Sequence, residues 1–140
     1  MKIIIIDGQG GKIGKIIIEE LKKSLPEHEL IAIGTNSIAT SVMLKAGAEM
    51  GATGENPVIY NSSDADIIIG SMGILVANSY LGEITPNMAL AISESKAEKI
   101  LIPINRCNIS VVGTQELPYS EYAKMIAKQV KNRIDNIRID

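Results

Sequence analysis

Hydrophobic runs alternate along the chain with stretches in which apolar and polar residues repeat at helical spacing. The first run, at residues 3–6, is four consecutive isoleucines, a pattern typical of a parallel strand covered by helices on both faces. The stretch at residues 12–23 repeats its apolar positions with the period of a helix, which predicts an amphipathic helix. Its predicted inner face contains Ile13, Ile16, Ile17 and Leu21, and its outer face contains Lys15, Glu19 and Lys23.

The same kind of pattern divides the rest of the chain into strands and helices. Asn36 or Ser37 suits the cap of a second helix, and Thr85 followed by Pro86 suits the start of a later one. Residues 51–57 are predicted as a loop, and residues 71–84 fit a helix or a mixture of helix and loop. We predict strands at residues 2–7, 30–34, 58–60, 66–70 and 99–104, with a short edge strand at 109–113. We predict helices at residues 12–23, from 36 or 37 to about 47, at 86–92 and from 118 onwards.

Strands that alternate with helices are joined by right-handed crossovers, which places the strands parallel in one sheet. We therefore predict an α/β fold: a doubly wound, mostly parallel, Rossmann-like sheet in the strand order 3-2-1-4-5 with helices on both faces. The length of 140 residues suits a single domain over residues 1–140. Ligands of such sheets bind at the carboxyl ends of the strands, here near the switch between strands one and four.

The composition of the chain argues against several classes of protein and binding partner. Hydrophobic residues make up 46% of the chain and the net charge is −2, so we expect a core and no basic surface for nucleic acid. The chain has no Trp or Phe and four Tyr, too few rings for a base-stacking platform. No apolar run approaches the roughly 20 residues that span a membrane, and the first residues lack the pattern of a signal peptide. We expect a cytoplasmic protein that binds neither nucleic acid nor membrane.

A glycine-rich turn links the first predicted strand to the first helix. Gly8, Gly11 and Gly14 form the pattern G-x-x-G-x-x-G, and Gly10 adds G-x-G. Glycine permits a tight turn and a close approach of phosphate to the backbone, and N–H groups at the start of a helix attract anions. The predicted cofactor-binding residues of this turn are Gly8, Gln9, Gly10, Gly11, Lys12, Ile13 and Gly14.

The pattern of this turn resembles the dinucleotide turn of reductases that carry G-x-x-G-x-x-G. It differs from a Walker loop, because Ile16 stands where that loop has Ser or Thr and the upstream glycine spacing is different. Its position between a strand and a helix favours phosphate or nucleotide binding. The alternative is a tight turn that binds nothing.

The end of the second strand bears on which nucleotide is bound. An NAD-binding turn usually pairs with Asp or Glu at this point, and an NADP-binding turn often pairs with Arg. This chain has Gly34, Thr35, Asn36 and Ser37 instead, next to a helix start that accepts an anion. The sequence therefore disfavours NAD and permits NADP(H), another phosphorylated ligand or a mononucleotide, with Thr35 and Asn36 as contacts. Ordinary helix capping is the alternative role of these side chains.

Two further loops follow the fourth and fifth predicted strands, and we expect both to flank the glycine turn. The first contributes Ser71, and the second contributes Asn105 and Arg106. The forked guanidinium of Arg106 suits a phosphate or a carboxylate, and an ordinary surface arginine is the alternative. Asp7 directly precedes the turn, where it bonds either the turn amides or a ligand hydroxyl; local stabilisation of the turn is the favoured role.

Several kinds of active site are missing from the sequence. No Tyr is followed four residues later by Lys, which excludes the short-chain dehydrogenase mechanism. The single Cys excludes an internal disulfide, and no cluster of His, Cys, Asp or Glu has the spacing of metal ligands. His28 is the only His and lies on the opposite edge from Cys107, so we assign no catalytic residue and no metal site.

Five stretches spread over the chain carry a wider resemblance. They are IDGQGGKIG, IGTNSIAT, GATGEN, ANSYLGEITPNM and ILIPINRCNISVVG. In these stretches the chain resembles an uncharacterised bacterial domain-of-unknown-function family of small Rossmann-like proteins, which implies the fold and no particular activity. A shorter likeness, through Ala77-Asn78 and residues 103–105, is to flavin-binding decarboxylase-type proteins.

From these residues we expect a protein that binds a phosphorylated nucleotide through Gly8 to Gly14. If the protein is an enzyme, an NADP-linked reductase is the favoured class. One alternative is a non-catalytic nucleotide-sensing or regulatory subunit, because the chain lacks obvious acid–base groups and room for a substrate domain. A second alternative is an FMN-binding, flavodoxin-like protein. Apolar surface on the last helix or at residues 74–92 would support a homodimer.

Overall fold

Five strands form one parallel sheet in the order β3-β2-β1-β4-β5 in the computed structural model of the chain. This order, with helices on both faces, confirms the predicted doubly wound, Rossmann-like α/β fold. The structure describes residues 1–104 and 108–139, with the backbone alone at residues 137–139. The strands are β1 (Ile3–Asp7), β2 (Leu30–Gly34), β3 (Met50–Thr53), β4 (Ile67–Ser71) and β5 (Glu98–Ile102). The helices are α1 (Lys12–Ser24), α2 (Ser37–Ala46), α3 (Glu55–Ser62), α4 (Pro86–Glu94) and α5 (Tyr119–Ile139), and a short 3₁₀ helix follows β4 at Met72–Leu75.

The central strand β1 is buried on both faces, which explains its unbroken apolar sequence. Ile3 and Ile5 belong to one hydrophobic cluster, and Ile4 and Ile6 belong to the other. Successive side chains of a strand point to opposite faces, so the two clusters lie on opposite sides of the sheet. The sheet therefore needs a helical layer on each side.

Three helices cover one face of the sheet and two cover the other. Helices α1, α2 and α5 pack on the face that carries Ile3 and Ile5, with α1 in contact with both of the others. Helices α3 and α4 pack on the opposite face through residues such as Val58, Met88 and Ile92. No helix within residues 1–104 and 108–139 is long and apolar enough to span a membrane.

The third strand lies earlier in the chain than predicted, and the predicted strand at residues 58–60 is wrong. Residues Met50–Thr53 form β3, at the edge of the sheet, and residues 58–60 lie in α3. The side chains of β3 are exposed or half-buried, so this strand has no apolar run that would reveal it. The β-branched and aromatic residues at 58–60 indicated a strand, yet they are helical and only Val58 is buried.

The predicted edge strand at residues 109–113 is also wrong. Residues 108–118 form turns and irregular structure, and the sheet of the described chain contains no strand there. Val112 in this segment is 99% exposed, so it packs against no neighbour in a sheet. Residues 71–84, predicted as helix or a mixture, contain the 3₁₀ helix and a series of turns. The predicted loop at residues 51–57 is wrong as well, because residues 51–53 belong to β3 and residues 55–57 to α3. The other predicted strands and helices agree with the structure to within a few residues at their ends.

The carboxyl ends of β1 and β4 lie side by side, because the two strands pair in parallel along residues 3–5 and 67–69. The chain leaves β1 for α1 on one face of the sheet and continues after β4 toward α4 on the other. This change of direction opens a crevice at the switch point of the sheet, where ligands of open α/β folds bind. The glycine turn that follows β1 lies at the edge of this crevice.

Candidate functional site

The glycine turn leaves β1 and opens α1, with Gly11 as the N-cap of the helix. The Gly11 N–H donates to the carbonyl of Gly8 at 2.9 Å, which closes the turn. Gly11 has a φ of 73°, and a Cβ built on it would lie 3.0 Å from the backbone of Ala39 in α2. Both the left-handed backbone and the close packing therefore require glycine at this position.

Asp7, the last residue of β1, holds the turn from below. Its Oδ1 accepts from the Gly8 N–H at 2.8 Å, and its Oδ2 accepts from the Gly14 N–H at 2.7 Å. Burial raises the pKa of Asp7 above its ordinary value of 3.8, although these two hydrogen bonds act to lower it. The contacts agree with the predicted role of Asp7 in stabilising the turn.

Glu83, which is not among the residues predicted from the sequence, binds the outer side of the turn. Its Oε1 accepts from the Gln9 N–H at 2.8 Å. The same oxygen accepts from the Thr35 hydroxyl at 2.5 Å and from the Asn36 amide at 2.8 Å. Burial acts to raise the pKa of Glu83, but these hydrogen bonds outweigh burial and hold the pKa below its ordinary value of 4.5. Glu83 therefore places a negative charge at the carboxyl end of β2.

The sequence does contain one signal for this residue. Glu83 is the only charged residue between Asp66 and Glu94. A lone charge in a long neutral segment is expected to meet a specific partner, and here it meets Thr35 and Asn36. These two residues, predicted as nucleotide contacts, thus have polar groups that are bonded to protein.

Two N–H groups of the turn, those of Gly10 and Lys12, have no acceptor among the described residues. Both lie at the N-terminal end of α1, where the helix dipole favours negative charge. Gly10 is exposed, and a Cβ built on it would meet no protein atom within 4 Å. A ligand oxygen can therefore approach this part of the turn without moving the protein.

A cleft of about 410 Å³ opens beside these N–H groups. The turn from Asp7 to Ile13 forms one side of the cleft, and the end of β4 and the loop that follows it form another. Tyr119, the first residue of α5, contributes an aromatic ring to the lining. The apolar residues of the lining beyond the turn are Met72, Val76, Leu81, Ile104 and Ile109.

Hydroxyl groups line the wall of the cleft that follows β4. The hydroxyls of Ser71 and Tyr80 are hydrogen-bonded to each other, and the Gly73 N–H donates to Ser71 Oγ at 3.1 Å. The Ser79 hydroxyl donates to the carbonyl of Gly73. These bonds fix the hydroxyls in a wall that a ligand in the cleft would touch.

The loop at residues 76–84 positions its side chains through an unusual backbone. Asn78, Tyr80 and Leu81 have φ values of 67°, 56° and 57°. The Asn78 N–H donates to the carbonyl of Ile84 at 2.6 Å, which closes the loop. Left-handed backbone is unfavourable for residues other than glycine and persists where the surrounding structure enforces it, often at functional sites.

The structure places the predicted residues of the glycine turn and the end of β4 around the cleft, whereas the residues after β2 contact the turn outside the cleft, with the Asn36 amide donating to the carbonyl of Gln9 at 2.9 Å. Thr35 and Asn36 lie on the Glu83 side of the turn and do not line the cleft. Gly14 lies under the turn, packed against Met43 of α2. The predicted contacts Asn105 and Arg106 lie outside the described residues. The predicted residues that do line the cleft are Gly8, Gln9, Gly10, Gly11, Lys12, Ile13 and Ser71.

A match to one protein family covers nearly all of this architecture. The model of the family described as "Domain of unknown function (DUF3842)" matches residues 2–135, which include all five strands, the glycine turn and Glu83. No curated protein and no solved structure matches the chain. The predicted resemblance to an uncharacterised family of unknown function is thus confirmed, and the chain belongs to the family "Domain of unknown function (DUF3842)".

Proposed function

We propose that this protein binds a phosphorylated ligand of about mononucleotide size in the cleft, with the phosphate on the Gly10 and Lys12 N–H groups. The observation that carries the proposal is that these two unbonded groups belong to residues that line a cleft, which is polar at the turn and apolar beyond it. A ligand with a phosphate at one end and a flat ring at the other matches this division. FMN is such a ligand and is the first probe.

Some charged groups near the turn favour the binding of a phosphate, and one opposes it. The dipole of α1 favours it, as does the ammonium group of Lys12, whose Nζ lies 6.0 Å from the centre of the Tyr119 ring. The buried carboxyl group of Asp7 opposes a phosphate from below the turn when it is ionised. Lys12 is the only cationic side chain among the described residues that line the cleft, so it supplies the positive charge that a bound phosphate needs.

The dimensions of the cleft favour a mononucleotide over a dinucleotide. Its volume of about 410 Å³ is near the lower end of the roughly 300–1,000 Å³ typical of ligand pockets. The adenylate half of a dinucleotide would lie across the end of β2, where Thr35 and Asn36 are bonded to Glu83. We therefore place FMN-like ligands before NADP(H).

A thermal-shift screen of the purified protein tests the proposal. The panel contains FMN, AMP, ATP, FAD, NAD(H) and NADP(H). A ligand at 100 times its dissociation constant adds about 2.7 kcal/mol to the free energy of unfolding, which raises the melting temperature by roughly 5–10 °C. We expect such a shift with at least one mononucleotide. The absence of a shift with every member of the panel contradicts the proposal.

Two variants locate the bound phosphate. Gly10→Ala puts a methyl group into space that no protein atom occupies, so we expect an unchanged melting temperature and binding weakened about tenfold. Lys12→Ala removes the ammonium group at the cleft and should also weaken binding. Lys23→Ala makes the same change in the last turn of α1, away from the cleft, and should leave binding unchanged. Full affinity in Gly10→Ala would show that the phosphate does not lie on the turn.

An NADP-linked reductase is the second candidate, because the bonded pair of Ser71 and Tyr80 hydroxyls places polar groups in the cleft wall, where a reacting oxygen of a substrate would meet them. A thermal shift with NADP(H) but not with FMN would favour this candidate. Oxidation of NADPH by the purified protein in the presence of carbonyl compounds tests for turnover. Binding without turnover would favour a nucleotide-sensing subunit instead.

A further inference from the structure

We infer that Glu83 sets the specificity of the β2 side of the glycine turn, where it accepts a ligand hydroxyl and repels a phosphate. The inference rests on the proposed function, because it concerns the sugar of a nucleotide whose phosphate lies on the turn. Glu83 does not line the cleft itself, but it bonds to the N–H of Gln9, which does. In folds of this kind the ribose of such a nucleotide lies near the end of the second strand. Here Glu83 reaches that point from the loop between β4 and α4.

Three donors from two separate segments converge on one oxygen of Glu83. Gln9 contributes its N–H from the turn, and Thr35 and Asn36 contribute side chains from the end of β2. All three donate to Oε1, and no donor within the described ranges bonds to Oε2. The carboxylate is thus fixed through one oxygen, and the other oxygen remains able to accept a hydrogen bond from a hydroxyl.

No cation in the described part of the chain cancels the charge of Glu83. None of its Lys or Arg residues forms an ion pair with this carboxylate. The nearby carboxyl group of Asp7 adds to the negative potential when it is ionised. A phosphate at this point would meet like charge, whereas a ribose hydroxyl would meet an acceptor.

Two features show that the structure is arranged to place Glu83 here. A Cβ on Gly8 would lie 2.9 Å from Glu83 Oε1 and 2.6 Å from Thr35 Oγ1, so glycine is what leaves room for this contact. The loop that carries Glu83 has left-handed backbone at Tyr80 and Leu81, and the Leu81 side chain is 97% exposed. Packing of Leu81 therefore does not hold the loop in this conformation. The three hydrogen bonds to Glu83 help to offset the strain of the left-handed backbone in the loop.

AMP and adenosine 2′,5′-bisphosphate are matched probes, because they differ only in the 2′-phosphate. Calorimetric titration at one ionic strength gives the affinity of the unmodified protein and of Glu83→Gln for both probes. Gln keeps an oxygen that accepts the same hydrogen bonds and removes the charge. We expect the unmodified protein to bind AMP about tenfold more tightly than the bisphosphate, and Glu83→Gln to reduce this preference to about threefold or less.

Glu55→Gln is the matched control, because it removes the same charge at the start of α3, where Glu55 accepts from the Asn87 amide at 3.0 Å. It should leave the preference for AMP unchanged. Equal affinity of the unmodified protein for the two probes overturns the inference, as does a full preference for AMP in folded Glu83→Gln. Failure of both probes to bind also overturns it, while FMN binding to the unmodified protein decides the proposed function separately.

Discussion

The two sides of the glycine turn differ in whether their backbone N–H groups are bonded to the rest of the protein. On the β2 side, the Gln9 N–H and the side chains of Thr35 and Asn36 are all bonded to Glu83. On the β4 side, the N–H groups of Gly10 and Lys12 have no acceptor within residues 1–104 and 108–139, and both residues line a cleft of about 410 Å³. A glycine-rich turn is therefore a potential anion site only where the rest of the protein leaves its N–H groups free.

One loop, at residues 76–84, produces both environments. Glu83 reaches the end of β2 and occupies the donors there. Tyr80 bonds to Ser71, the last residue of β4, and forms part of the wall of the cleft. The loop thus fills one side of the turn and shapes the other, so changes on each side of the turn should have different consequences.

The largest expected effect is a difference in stability between alanine substitutions at two adjacent glycines, Gly10 and Gly11. Gly11→Ala forces a side chain onto left-handed backbone and to 3.0 Å from the backbone of Ala39, so we expect a loss of about 3 kcal/mol in the free energy of unfolding. Gly10→Ala meets no protein atom within 4 Å, so its stability should stay within about 0.5 kcal/mol of the unmodified protein. Urea unfolding of both variants measures the difference. Equal stability of the two would mean that the turn is not packed against α2.

The second-largest effect is expected from Asp7→Asn, with a loss of about 2 kcal/mol. The single oxygen of Asn can accept from only one of the Gly8 and Gly14 N–H groups, and its amide donors would face the other. Asp64→Asn is the control, since this exposed carboxylate pairs with Lys2 at the surface and should contribute less than about 0.5 kcal/mol. Urea unfolding that shows equal losses for the two variants would refute the role given to Asp7.

The parts of the fold that could be predicted are those in which burial leaves a pattern in consecutive residues. Strands β1 and β4 are buried on both faces and stand out as runs of isoleucine. The strand β3 was missed because it is an edge strand whose side chains are exposed or half-buried. Residues 58–60 have a local preference for strand, which packing of α3 against α4 overrides.

The candidate site also has one part that the sequence predicts and one part that it does not. The turn was recognised because its glycines and the flanking strand and helix lie in one short segment. Glu83 was not recognised as a site residue, because its partners Thr35 and Gln9 are 48 and 74 residues away in the chain. Hydrogen bonds across such separations create no spacing that a sequence pattern can show. The contacts predicted for Asn105 and Arg106 stay predictions.

An intermediate effect is expected from Thr35→Val, which removes one of the three donors to Glu83 on the filled side of the turn. Because the acceptor is charged and half-buried, we expect a loss of about 1 kcal/mol in stability. Thr114→Val is the matched control, since its hydroxyl donates to a neutral acceptor, the carbonyl of Val111, within an irregular segment. It should cost about 0.5 kcal/mol or less. Thermal unfolding that ranks the two variants in the reverse order would contradict the importance of the Glu83 contacts.

The smallest expected effect is the pH dependence that Glu83 contributes. Although burial acts to raise its pKa, the hydrogen bonds from Thr35, Gln9 and Asn36 hold it below the ordinary value of 4.5. The stabilisation from Glu83 is therefore complete above about pH 4.5 and is lost as the pH falls through the lowered pKa. The stability advantage of the unmodified protein over Glu83→Gln should thus stay constant in urea unfolding down to about pH 5 and shrink between about pH 5 and pH 3.

Asp7 should show the opposite slope and so completes the comparison of the two carboxyl groups at the turn. Burial raises the pKa of Asp7 above 3.8, so the folded protein binds more protons than the unfolded chain just above that pH. The contribution of Asp7 to stability therefore falls as the pH rises through this range, and the advantage over Asp7→Asn should grow as the pH is lowered. Difference curves of the same sign for Asp7→Asn and Glu83→Gln would show that the two carboxyl groups do not occupy different environments.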